Sequence, residues 1–127
     1  MRIKGFDYTQ PGAYFVTICT YQRACALGSI HHGEMNLNNF GQIAYEEWFV
    51  SVDLRPYVKL FVDEFVVMPN HIHGIIWLVG ARRRRAPTQE QFGKPVSGSL
   101  PTIVRAYKAA VTRKINIIRG KTGSPFW

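Results

Sequence analysis

The stretch VVMPNHIHGIIWLVG, Val66–Gly80, decides how this chain folds. Pro69-Asn70 suits the centre of a tight turn. Apolar, β-branched residues flank it on both sides, so the segment reads as two antiparallel strands joined at that turn. The upstream strand begins in YVKLFVDEFVVM (57–68), and HIHGIIWLV (71–79) runs back as its partner. Side chains at i and i+2 share one face of a strand. His71 and His73 therefore project together, close to the rim where the strand begins.

Working outward, GAYFVTICTYQR (12–23) alternates aromatic and β-branched residues and reads as a strand after the Pro11-Gly12 turn. ALGSIHHGEMNLN (26–38) reads as a hairpin with His32-Gly33 or a neighbouring pair at its tip, since glycine supplies the positive φ of a tight turn. His31 and His32 then belong to an exposed turn. In NNFGQIAYEEWFVSV (38–52) the period changes to that of a helix. Ile43, Ala44, Trp48 and Val52, flanked by Tyr45 and Phe49, form the apolar side, and Asn38 or Asn39 can cap the first turn. Glu46 and Glu47 are expected on the solvated side.

GARRRRAPTQEQFGKPVSGS (80–99) is rich in Arg, Gly, Pro, Ser and Gln, and predicts a flexible basic loop over 81–99. Loops of that length in a compact domain are usually functional or disordered. SLPTIVRAYKAAVTRKINIIRG (99–120) is an amphipathic helix. Leu100, Ile103, Val104, Tyr107, Val111, Ile115 and Ile118 form its apolar stripe. Pro101 lies in its first turn, and Gly120 follows its end. Arg105, Lys108, Arg113 and Arg119 point away from the stripe. The order strand, strand, helix, strand, strand, helix, with local hairpins, predicts an antiparallel sheet covered on one face by two helices. That is a two-layer α+β sandwich.

The chain has 127 residues, the size of one domain, and 46% hydrophobic residues can form a core without disulfides. No run is long enough to span a membrane, and the N-terminus lacks the apolar core of a signal peptide, so the cytoplasm is expected. Cys19 and Cys25 match neither a disulfide framework nor a zinc knuckle. Sixteen Lys and Arg against eight Asp and Glu leave a net charge of +8. Such an excess favours a polyanionic partner, because neutralised phosphates release counterions. Solubility alone is the plainer reading of the same number.

Imidazole is a good ligand for divalent transition metals and a tolerable one beside oxygen ligands for Mn²⁺ or Mg²⁺. Two histidines leave coordination positions open, as a metal that polarises a substrate phosphate requires. By spacing alone the pair equally suits two strand histidines bonded to nearby backbone or carboxylates. Glu64 can supply a third ligand or orient an imidazole, or be an ordinary surface carboxylate.

Four collinear blocks, GAYFVTICTYQR, GEMNLNNFGQIAYEEW, VDEFVVMPNHIHGIIWLVG and SGSLPTIVRAYKAAVTRKINIIRG, resemble the REP-associated tyrosine transposases. These are relatives of the small single-strand DNA transposases of insertion sequences, within the His-hydrophobic-His (HUH) superfamily. The hallmark is His71-Ile72-His73 in MPNHIHGII. The resemblance implies a ferredoxin-like fold over 1–127 as a single transposase-like domain, usually dimeric. It implies a divalent ion, Mg or Mn, held by His71 and His73. It also implies a tyrosine that attacks a DNA phosphodiester and leaves a 5′-phosphotyrosine, with single-stranded or hairpin DNA as partner. Arg82, Arg83, Arg84, Arg85, Lys108, Arg113 and Lys114 become candidate DNA contacts, the Arg run being equally readable as a solvated loop. In the family, a segment like SPFW is followed by a further stretch and a helix with the nucleophilic tyrosine. This chain stops at Trp127. The resemblance therefore predicts a domain that lacks that helix, incomplete or inactive in strand transfer. The remaining candidate nucleophile, Tyr107, lies on an apolar stripe, which favours a core aromatic. The ending itself predicts two large aromatics left uncovered at a frayed terminus. A non-catalytic nucleic-acid-binding module, or a domesticated regulator, on the same fold is the competing expectation. A structural α+β domain with a merely solubilising surface is a third.

Overall fold

Strand β6 (His71–Leu78) is the centre of the sheet. In the computed structural model, which describes residues 11–52, 55–79 and 99–127, every other strand of this sheet pairs with it. β1 (Gly12–Cys19) lies antiparallel on one side, in unbroken register from Gly12↔Leu78 to Cys19↔His71. On the other side lie β4 (Val58–Lys59) and β5 (Phe65–Met68), both antiparallel. β2 (Gly28–His31) and β3 (Glu34–Leu37) form a separate two-stranded hairpin. Its turn is His32-Gly33, with φ of 52° and 79°, the left-handed pair that matches strand twist.

The two helices cover one face of the sheet. α1 (Asn39–Glu47) starts at Asn38, whose Oδ1 accepts from the Gly41 N–H at 2.8 Å while its Nδ2 donates to the Ala26 carbonyl at 2.9 Å. The cap therefore anchors the helix to the hairpin as well as satisfying its first turn. α1 runs into a π-helical turn, Trp48–Val52. α2 (Leu100–Arg119) has Pro in its first turn and ends at Gly120 in the left-handed conformation, φ 69°. Between sheet and helices, Val16, Ile18, Phe65, Val67, Ile72, Ile76 and Leu78 meet Trp48, Val52, Ile103, Tyr107, Val111 and Ile115. The result is an α+β, ferredoxin-like two-layer sandwich, with helices on one side of an antiparallel sheet.

Aromatic stacking holds the layers in place. Trp48 stacks on Phe65 at 4.4 Å, and Tyr107 meets Trp48 edge-on at 5.3 Å. Beneath them β6 carries Gly74, where a Cβ would approach Phe65 Cδ1 to 2.8 Å and Trp48 Cζ2 to 3.0 Å. A larger residue there would push the indole off the sheet.

Four expectations are corrected. The segment 57–68 is two strands rather than one. From Lys59 to Phe65 the chain takes six steps while β6 takes three from Trp77 to Gly74. The surplus leaves the ladder as a 3₁₀ turn, Val62–Glu64. Glu47 is buried, not solvated, and the Lys114 ammonium donates to its Oε1 at 2.6 Å. Burial of a carboxylate at a helix–helix contact requires such a partner. Ile118 is exposed while Ala110 and Asn116 are buried, so the inner stripe of α2 drifts around the helix towards its C-terminus. Finally, Phe126 is buried, and the terminal aromatics are covered. Phe126 meets Phe40 edge-on at 6.0 Å, Trp127 lies 6.0 Å from Tyr107, and the Phe126 carbonyl accepts from the Tyr21 N–H at 2.8 Å.

The basic run Arg82, Arg83, Arg84 and Arg85 lies outside the described residues, as does the rest of the expected loop apart from Ser99. Among the described residues no helix is long and apolar enough to cross a membrane.

Candidate functional site

The alternation of β6 divides its side chains between two environments. Ile72, Gly74, Ile76 and Leu78 face the helices and are buried. His71, His73, Ile75 and Trp77 face the opposite side of the sheet, which no described helix covers. The two imidazoles are neighbours on that open face, with ring centres 5.4 Å apart and planes at 89°. For metal–nitrogen bonds of about 2.1 Å, two imidazoles sharing an ion have ring centres roughly 5 Å apart. The observed spacing fits that arrangement.

His71 is further oriented by its neighbour. Its Nδ1 lies 2.9 Å from Asn70 Oδ1, at the turn that starts the strand. With a proton on Nδ1 donated to that amide oxygen, the Nε2 lone pair is the free ligand atom. A contact of this kind fixes the tautomer and orientation of an imidazole. His73 is exposed and stands between Thr17 on β1 and Val66 on β5. Cys19 faces His71 across the β1–β6 ladder and Met68 faces it from β5. Cys19 is thus a neighbour that spacing within one strand could not reveal. The register between two strands supplies it.

A third ligand is a different matter. Glu64 lines the same shallow groove as His73, about 310 Å³ in volume, together with Asp63, Phe15, Thr17 and Ile75. Its Oε1, however, accepts the Trp77 indole N–H at 2.7 Å. Among the described residues no group of three or more His, Cys, Asp or Glu is arranged to hold a metal ion. Among the described residues the two imidazoles would thus supply only part of a metal's coordination sphere.

Tyr107 belongs to the core. It is fully buried, and its hydroxyl donates to the Ala44 carbonyl at 2.8 Å. Desolvation, and secondarily the Glu47 carboxylate, push its phenol far above the ordinary value. A neutral, buried, hydrogen-bonded phenol is a poor nucleophile.

The three predicted cationic contacts on α2 separate into two sets. Lys114 is tied to Glu47. Lys108 and Arg113 instead line a groove of about 590 Å³ between α2 and the C-terminal residues, with Arg105, Ile117, Phe126 and Trp127. Arg105 and Lys108 also border a second groove, about 520 Å³, whose other wall is β1 from Phe15 to Cys19. Among the described residues Arg105, Lys108 and Arg113 form no ion pair. A strip of positive charge thus follows α2, with Arg105 and Lys108 at its β1 end and Arg113 beside the C-terminal residues. The open-face aromatic Phe15, absent from the sequence-based candidates, borders both the His73 groove and this cationic one.

Comparison with known proteins finds a relative of uncharacterised function in Haemophilus influenzae, 35% identical over 118 residues. The alignment covers 88% of this chain and 64% of that protein, so the chain spans less than two thirds of its relative's length. No family model matches the chain. No solved structure matches it either.

Proposed function

We propose that this chain is a DNA-binding domain for metal-dependent cleavage and rejoining of single strands, of the transposase type its sequence resembles. The observation that carries the reading is the side-by-side presentation of His71 and His73 on the open face of β6, with Asn70 orienting His71. In this reading His71 Nε2 and a ring nitrogen of His73 would hold Mn²⁺ or Mg²⁺, which would neutralise charge on a bound phosphate. Arg105, Lys108 and Arg113 of α2 supply sequence-independent affinity for the backbone. Tyr107 takes no part in the chemistry, because its hydroxyl is sealed in the core.

The test is a calorimetric titration with Mn²⁺, alongside a cleavage assay on a single-stranded hairpin DNA with trapping of covalent adducts. The wild-type chain is expected to bind Mn²⁺ saturably, and His71→Ala with His73→Ala to abolish that binding. Undiminished Mn²⁺ binding in the double variant, or none in the wild type, would sink the metal assignment. An adduct abolished by Tyr107→Phe would overturn the placement of that residue outside the chemistry.

A second reading is supported by the absence of a third grouped ligand among the described residues. It is a non-catalytic nucleic-acid-binding module on the same fold. It predicts salt-sensitive binding of single strands that survives loss of both histidines.

A further inference from the structure

The open face of the sheet is aromatic at one end and imidazole-bearing at the other. Along β6 it presents Trp77, Ile75, His73 and His71 in steps of roughly 7 Å. Phe15 on β1 pairs with Ile75, so His73 and Trp77 are its diagonal neighbours on that face. Phe15 is 79% exposed, against 47% for Phe61 and 36% for Trp77. An isolated exposed phenylalanine needs no explanation. Here the surroundings supply one. Trp77 is held in place by its bond to Glu64 and by the edge of Phe61 at 6.4 Å, giving the platform a rigid back wall.

Charge decides which occupant fits. The groove holding His73 has Asp63 and Glu64 on its β5 side. Phosphates are disfavoured there. On the other side of Phe15, Arg105 and Lys108 face β1 and form no ion pair among the described residues. A second copy of this chain would bring the same cations to that edge and repel. A chain with π-faced groups on one side and anionic groups on the other matches both features. Single-stranded nucleic acid has that chemistry.

We propose that Phe15 is the base-stacking residue of a single-strand path, with one unpaired base on its ring and the adjoining backbone on Arg105 and Lys108. The inference rests on the nucleic-acid reading above and deepens it. Phe15 positions the strand on the open face, with His73 as its diagonal neighbour.

Fluorescence anisotropy would compare a short oligodeoxythymidine with an abasic oligonucleotide of equal length, in metal-free buffer. Phe15→Ala is expected to weaken oligodeoxythymidine binding about tenfold, the scale of one stacked base, and to leave the abasic strand unchanged. Phe15→Trp restores the preference for bases. Arg105→Ala with Lys108→Ala weakens both strands alike and flattens the salt dependence. An unchanged ratio of the two affinities in Phe15→Ala would overturn the proposal. So would sedimentation showing that Phe15→Ala turns a dimer into a monomer with base preference intact. Because these measurements use no metal, loss of Mn²⁺ binding with the base preference intact would remove the catalytic reading alone. The reverse result would remove only the platform.

Discussion

The two faces of β6 share one backbone and differ in everything else. One presents Ile72, Gly74, Ile76 and Leu78 to Trp48, Phe65 and the helices, and its tolerance is measured in tenths of an ångström. The other presents His71, His73, Ile75 and Trp77 to a shallow groove and solvent. The buried side holds the strand rigid, and rigidity is what a pair of ligands needs to meet one ion without reorganising. Stability and the proposed site therefore reside on alternate residues of the same eight-residue strand.

Substitutions along β6 break or sharpen this contrast. The largest effect is expected at Ile76, fully buried, where Ile76→Ala should cost about 2–4 kcal/mol in urea unfolding. Ile75→Ala, one residue earlier on the open face, should cost less than about 1 kcal/mol. Equal losses at the two positions would mean that the open face is packed in solution. Gly74→Ala comes next, at about 1–3 kcal/mol, since its methyl meets Phe65 and Trp48. A near-ultraviolet circular dichroism change from the displaced indole should accompany it, and an unaltered spectrum would show that the layers have slack. The smallest effect is expected for His73→Ala, within about 0.5 kcal/mol of wild type. A clearly larger loss would make the imidazole a structural group and weaken the site reading.

Much of this architecture is legible in the sequence. The Pro69-Asn70 turn, the His32-Gly33 hairpin tip and the alternation of 71–79 are local patterns, and each reappears where expected. The sequence places Glu47 on the solvated side because a helical wheel shows which face is less apolar, not whether a lysine from another helix stands over it. The break at Val62–Glu64 was hidden because 57–68 is apolar enough for one strand. Only the register against β6 exposes its surplus residues. The cover of the terminal aromatics is not legible locally because their partners, Phe40 and Tyr107, are distant in sequence.

For the site, the i, i+2 rule placed both histidines on one face. Their spacing and the Asn70 contact came from the three-dimensional structure. So did the burial of Tyr107, the ion pair between Lys114 and Glu47, and the position of Phe15 between two grooves. By itself, the sequence determined the α+β class, the central hairpin, the basic balance and the shared face of His71 and His73. These follow from short-range periodicity and composition. Which charges are paired, which aromatics are sealed and which remain open to a ligand was decided by tertiary structure. Burial and ion pairing depend on residues brought together from distant parts of the chain.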